Sequence, residues 1–192
     1  MRRLLIGFLA MGLCVLGLGA MWMVRADEDD VKLGAKLDGF QEVGGLNAET
    51  GAILSEGKGT LELTLKKSPP RISYVLSYSF PATTTVLQSH IHFGRVHTPG
   101  GVMVFLCTNL GNGPTGTPAC PTPAATSVTG TITAADVQAI AGQQVSAGDF
   151  DALTDALFSN SAYANIHTTA FKAGEIRGQV RLERHRGDRD RK

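Results

Sequence analysis

The sequence predicts an all-β domain: an antiparallel Greek-key sandwich or barrel with one or two short helices in a late insertion. Three observations support this. Apolar residues recur at every second position in several segments, the mark of strands with one buried face. Gly and Pro punctuate the chain between those segments, and many short strands separated in this way pack as a sandwich or barrel. Only two stretches, near residues 134 and 150, carry helix signals.

Taken in order, Gly34 to Leu46 begins as a strand and then turns. From Gly57 to Lys67, Leu61, Leu63 and Leu65 alternate with Thr60, Glu62 and Thr64, and Ser68-Pro69-Pro70 ends the run. Arg71 to Phe80 alternates again, with Ile72, Tyr74, Leu76, Tyr78 and Phe80 on one face and Pro81 as the stop. Val86 to Phe93 reads as a strand, and Gly100-Gly101 leads into another from Val102 to Cys107. After a loop to Thr126, Ser127 to Thr133 is a further strand. Thr133 offers an N-cap to a short helix at Ala134-Ala135-Asp136-Val137, and a second helix is expected over Phe150 to Phe158. Tyr163 to Thr168 is a strand. Gly174 opens the last one, in which Ile176, Gly178, Val180 and Leu182 alternate with Arg177, Gln179, Arg181 and Glu183.

The 192 residues favour one domain, expected over residues 32–183. Before it, Arg2-Arg3, an apolar run from Leu4 to Val24 and the small-x-small end Val24-Arg25-Ala26 make up the three parts of a secretory signal over residues 1–26. Cleavage would start the mature chain near Asp27. The alternative is an uncleaved anchor, because the run reaches the roughly 20 residues that span a bilayer and Arg25 sits close to the cleavage site. After cleavage no membrane span is expected, and the location is extracellular or periplasmic. Residues 184–192 are charged, have no apolar residue and are expected to be disordered. Chance accounts for the integrin-ligand tripeptide Arg186-Gly187-Asp188 in so charged a tail.

Cleavage would leave 15 basic residues (18 less Arg2, Arg3 and Arg25) against 17 acidic ones. That balance gives no reason to expect nucleic acid as a partner. Of the three cysteines, Cys107 and Cys120 lie in the domain and bracket a Gly/Pro loop. In an exported chain this suggests a disulfide. Two free thiols or soft metal ligands are the alternative. No nucleophile elbow, phosphate loop or paired-carboxylate arrangement is present.

Histidines carry the chemistry. His90 and His92 flank Ile91 in Ser89-His90-Ile91-His92-Phe93-Gly94. On a strand, alternate side chains share a face, so Ile91 and Phe93 are expected to enter the core while both imidazoles point out to the surface. Two imidazoles so spaced reach one ion, and copper and zinc accept such ligands. His167, in Asn165-Ile166-His167-Thr168, is the best third ligand, because it too alternates with a core-type neighbour. His97, in a turn with Pro99, Gly100 and Gly101, is either a further ligand or a solvated loop residue. The competing reading has His90 and His92 simply hydrogen-bonded within the fold. Glu175 and Arg177 share a face at strand spacing. There they would form an ion pair or, as preferred, hold this strand in register with its neighbour.

Several of these segments resemble one family. Gly39-Phe40-Gln41-Glu42-Val43 is similar to the opening G-x-Q-E-V-P of CHRD domains, with Gly44 in place of the proline. Ser89 to Gly94 is similar to their A-H-I-H-x-G. Asn165-Ile166-His167-Thr168 with Gly174-Glu175-Ile176-Arg177-Gly178-Gln179 resembles their closing N-V-H-T and G-E-I-R-G-Q. The resemblance covers roughly Lys32 to Leu182. It implies a fold and an extracellular compartment: such domains occur in chordin, an antagonist of bone morphogenetic proteins, and in secreted microbial proteins. Ser89 to Gly94 also resembles the H-V-H-x-F-G copper-binding strand of Cu/Zn superoxide dismutases. By that likeness His90, His92 and His167 would match copper ligands, but no zinc-loop set of His and Asp follows, so a dismutase-like enzyme ranks a distant third among the readings. The expected function is therefore copper or zinc binding through His90, His92 and His167. The alternative is a non-catalytic extracellular interaction module with structural histidines and an unidentified protein partner.

Overall fold

The structure is a computed structural model, and it describes residues 30–43, 51–121 and 125–183. The expected signal segment, the charged tail with its Arg-Gly-Asp tripeptide, and Gly44 lie outside the described residues. Nine strands and one α-helix occur among the described residues. The strands are β1 (Val31–Asp38), β2 (Lys58–Lys67), β3 (Pro70–Ser79), β4 (Val86–Phe93), β5 (Gly101–Thr108), β6 (Ala125–Ile132), β7 (Ala162–Thr168), β8 (Ile176–Gln179) and β9 (Arg181–Leu182). The helix, α1, is Phe150–Phe158.

All the pairings are antiparallel, and they join the strands into one sheet in the order β5-β4-β7-β8-β1-β2-β3-β6, with β9 beside β1. The end strands β5 and β6 approach each other, which nearly closes the sheet into a barrel. The Tyr74 hydroxyl on β3, the strand beside β6, donates to the Leu106 carbonyl on β5 at 2.6 Å, a side-chain tie across the closing gap. The all-β expectation holds. The period-two pattern in β2 and β3 is the reason: Leu61, Leu63, Leu65, Ile72, Tyr74, Leu76 and Tyr78 all enter the core. Each such aliphatic side chain, fully buried, contributes about 1.5–3 kcal/mol.

The Cys107–Cys120 disulfide is formed and anchors the loop after β5 to that strand. The helix expected over Phe150 to Phe158 is α1, capped by the Asp149 side chain, which accepts from Ala152 N. Its Leu153, Ala156 and Leu157 are buried at the three- and four-residue spacing of one helical face. At Ala134 the expected helix is a single 3₁₀ turn, Ala134–Asp136. Thr133 starts it as predicted, its N–H donating to Asp136 Oδ2 at 2.8 Å, but no apolar stripe follows to extend it. The last strand also departs from expectation. It breaks at Val180 into β8 and β9, and its alternation fails on both sides: Arg177 and Gln179 are buried while Leu182 is half exposed. The cause is position in the sheet. β8 lies between β7 and β1 under a covering loop, whereas β9 pairs at the margin of β1.

Candidate metal centre

Strands β4, β7 and β8 lie side by side although they are far apart in sequence. In this register His92 faces Tyr163, His90 faces Asn165, Gln88 faces His167 and Asn165 faces Arg177. Ile91, Ala164, Ile166 and Ile176 turn into the apolar core. The alternate residues His90, His92, Tyr163, Asn165, His167, Arg177 and Gln179 therefore share the opposite face of the sheet. The predicted direction of His90 and His92 is right, but the predicted exposure is not. His90, His92 and His167 are 3, 7 and 8 % exposed, because this face is covered.

The main cover is the segment after β4. Arg177 donates from Nη2 to the carbonyls of Arg95 and Thr98 at 2.9 and 3.0 Å. Gln179 donates to the Gly94 and Asn160 carbonyls, and Gly100 N donates to the Tyr163 hydroxyl. Gly100 fits only because it lacks a side chain: a Cβ there would stand 1.8 Å from the Phe93 carbonyl oxygen. The Tyr163 ring lies between two neighbours. His92 stacks on it at 4.7 Å with planes 3° apart, and the Arg177 guanidinium sits 3.4 Å from its centroid. Phe105 of β5 meets His90 edge-on at 4.4 Å.

Among the described residues, His90, His92 and His167 form a group whose ligand atoms lie within 4.8 Å of one another. His92 Nδ1 is 2.9 Å from the Gly100 carbonyl oxygen, and His167 Nδ1 is 2.9 Å from that of Lys172. A carbonyl only accepts, so both rings carry their proton on Nδ1 and direct the Nε2 lone pair inward. Backbone carbonyls that orient histidines in this way are a recurring feature of metal sites. His90 Nδ1 lies 3.2 Å from His167 Nε2, while His90 Nε2 is buried without a partner.

Burial keeps all three rings neutral, the form that ligates metal. It pushes His90 down to about 2, with the neighbouring His167 and His92 adding to the effect. His92 is pushed down to about 4, chiefly by burial, and His167 is lowered for the same reason. Such a group could hold a metal ion.

The other proposed residues fall elsewhere. His97 is exposed in the covering loop in a left-handed conformation (φ 60°) and is not part of the group. That loop contributes the Gly100 carbonyl instead. Glu175 and Arg177 do not pair. Glu175 accepts from Ser55 Oγ and Thr168 Oγ1, whereas the Arg177 side chain holds the covering loop and not a neighbouring strand.

Some site residues were not singled out from the sequence. Tyr163 and Asn165 were legible there, since period two counted back from His167 reaches both. Glu42 stands in the Gly39–Val43 segment that carries the resemblance, but no local pattern sets its burial at 3 % exposed, which depends on packing near Asn165 of β7 and Arg177 of β8. Burial pushes the Glu42 carboxyl up to about 7, with the Val43 N–H, Arg177 and Asn165 opposing. Its Oε2 has no partner within full hydrogen-bond reach, yet the nearby Asn165 amide still favours the charged form.

Fold and site together define an all-β, nearly closed barrel-like domain that buries a polar layer of three histidines, a tyrosine and an arginine, covered mainly by the loop after β4. The chain belongs to the CHRD domain family, whose profile matches residues 33–180. All three segments that carried the resemblance reach into this layer. No curated protein and no solved structure matches the chain.

Proposed function

We propose that this CHRD-domain protein is exported and holds one copper or zinc ion on His90, His92 and His167. One observation carries the reading: three buried neutral imidazoles have ligand atoms within 4.8 Å of one another, and in two of them a backbone carbonyl holds Nδ1 and leaves Nε2 as the nitrogen with the lone pair. The spacing suits an ion. Tetrahedral bonds of 2.0–2.1 Å place neighbouring ligand atoms roughly 3.3–3.4 Å apart, close to the 3.2 Å between His90 Nδ1 and His167 Nε2. Deep burial favours a closed site, which retains an ion, over the open position that a metal catalyst keeps. Export is supported by the N-terminal basic, apolar and small-residue pattern, by the disulfide and by the family, whose domains suggest an extracellular module. No helix among the described residues is long and apolar enough to cross a membrane.

The test is the metal content of the mature protein purified without chelators, followed by titration of the stripped protein with Cu²⁺ and Zn²⁺. About one equivalent bound tightly supports the reading. Lack of saturable binding ends it. Intact mass of the exported fraction checks the start near Asp27, and a membrane-bound chain retaining Met1 would contradict export. A second reading, an interaction module with structural histidines, is favoured by a single contact: neutral His90 can donate from Nδ1 to His167 Nε2 with no ion present.

A further inference from the structure

Asn165 makes a contact that hydrogen bonding does not explain. Its Oδ1 lies 3.0 Å from His92 Nε2. The single proton of a neutral His92 ring is on Nδ1, donated to the Gly100 carbonyl, so Nε2 presents a lone pair. An amide oxygen and an imidazole lone pair then face each other with no hydrogen between them. The other end of the amide shows why it is turned this way. Asn165 Nδ2 and Glu42 Oε2 close on the same point beside Gly174, standing 2.9 and 2.7 Å from where a Cβ of that residue would be. Gly174, at φ +134°, leaves that space open. The charged Glu42 carboxyl, which the nearby amide favours, attracts Nδ2 without a hydrogen bond of full reach, and this leaves Oδ1 directed at His92. A cation placed between Oδ1 and Nε2 turns the repulsive contact into two bonds.

We propose, resting on the metal reading above, that Asn165 Oδ1 is the fourth ligand of the ion, held in that orientation by Glu42. Two pairs of donor atoms then enclose the site: His90 Nδ1 with His167 Nε2 at 3.2 Å, and His92 Nε2 with Asn165 Oδ1 at 3.0 Å. Both separations approach the roughly 3.3–3.5 Å edge of a tetrahedron with bonds of 2.0–2.2 Å. Strand register supplies the arrangement. Asn165 stands opposite His90 and two residues from His167, on the face they share. Three nitrogens and a neutral oxygen, all buried, make a closed site that admits Zn²⁺ or Cu²⁺ and leaves no protein-free position for a substrate.

The experiment uses Co²⁺ as a coloured substitute for Zn²⁺ in the mature protein, its Asn165→Ala and Asn165→Asp variants, and a His97→Ala control. The wild type and His97→Ala are expected to give the intense visible bands of a four-coordinate ion. Asn165→Ala is expected to change those bands and to weaken Zn²⁺ binding by more than the roughly 10–100-fold that loss of an outer-shell partner costs, and Asn165→Asp, which keeps an oxygen donor, is expected to retain both. NMR of the wild type covers the case in which the alanine variant does not fold: the Asn165 side-chain NH₂ signals are expected to shift on adding Zn²⁺. Unchanged bands and affinity in Asn165→Ala, tighter binding in that variant, or unmoved NH₂ signals would each overturn Asn165 as a ligand while leaving the histidine site standing. Failure of the wild type to bind Co²⁺, Zn²⁺ or Cu²⁺ would instead remove the histidine site itself.

Discussion

His90 Nδ1 lies 3.2 Å from His167 Nε2, joining two strands that are 77 positions apart in sequence. The contact serves either as a hydrogen bond between neutral rings or as one edge of a coordination sphere, and substitution separates the two. His90→Ala, His92→Ala and His167→Ala are each expected to weaken Cu²⁺ or Zn²⁺ binding by more than the roughly 10–100-fold that loss of an outer-shell partner costs. His97→Ala should leave it unchanged, since His97 is exposed and outside the group. Isothermal titration of each variant measures this. Equal affinity in the wild type and the His90→Ala/His92→Ala double variant would assign the rings a purely structural role.

Protons should compete with the metal only in strong acid. An unperturbed imidazole would lose an ion as pH falls through about 6.5, but His92 is pushed down to about 4 and His90 to about 2. Metal retention is therefore expected at pH 5.5, checked by dialysis and metal analysis. Stability of the metal-free protein has its own dependence. Below about 6.5 the unfolded chain takes up protons that native His90 and His92 refuse, so each of these two costs stability on the order of 1.4 kcal/mol per pH unit of acidification. Glu42 acts oppositely. Raised to about 7 from 4.5, it adds stability as pH falls through that interval. His90 and His92, both depressed below this window, outweigh the one raised group, and the lowered His167 acts in the same direction, so the denaturant midpoint should fall between pH 6.5 and 4.5. A midpoint that rises over this range would contradict the burial assigned to the rings.

Arg177 holds the covering loop with two hydrogen bonds and lies against Tyr163. Arg177→Met is expected to destabilise the domain by about 3 kcal/mol, from the loss of two charge-assisted hydrogen bonds made by a buried guanidinium. Arg177→Lys should recover little of this, because an ammonium cannot match the planar fork or the stacking. Urea unfolding reads both. Because Gly100 belongs to the same loop, both variants should also weaken metal binding, whereas a variant distant from the site, such as Val75→Thr on exposed β3, should not.

Loss of the Cys107–Cys120 bond should cost about 3 kcal/mol, the chain-entropy value for a loop of this size. The Cys107→Ser/Cys120→Ser variant tests it by denaturant midpoint, and alkylation without reductant should label neither cysteine in the native protein. The metal site should survive the substitution, since neither sulfur belongs to the histidine group.

The strands with one apolar and one polar face were legible from residue order alone. Leu61, Leu63 and Leu65 alternate with polar residues, and only a half-buried strand satisfies such a pattern. The α1 boundaries were legible too, because Asp149 caps a stretch with one apolar stripe. His90, His92 and His167 could be grouped because each alternates with a residue suited only to the core. Period two settles which side a residue takes, but it does not say what covers that side. The polar layer on β4, β7 and β8 reads as surface until the loop after β4 folds over it, and that closure depends on Arg177 reaching the carbonyls of Arg95 and Thr98 from 82 and 79 positions away. The same long-range packing buries Glu42 and turns the Asn165 amide. Local sequence sets the direction of each side chain, and only the tertiary structure, by removing water from this face, made the histidines neutral and brought them together.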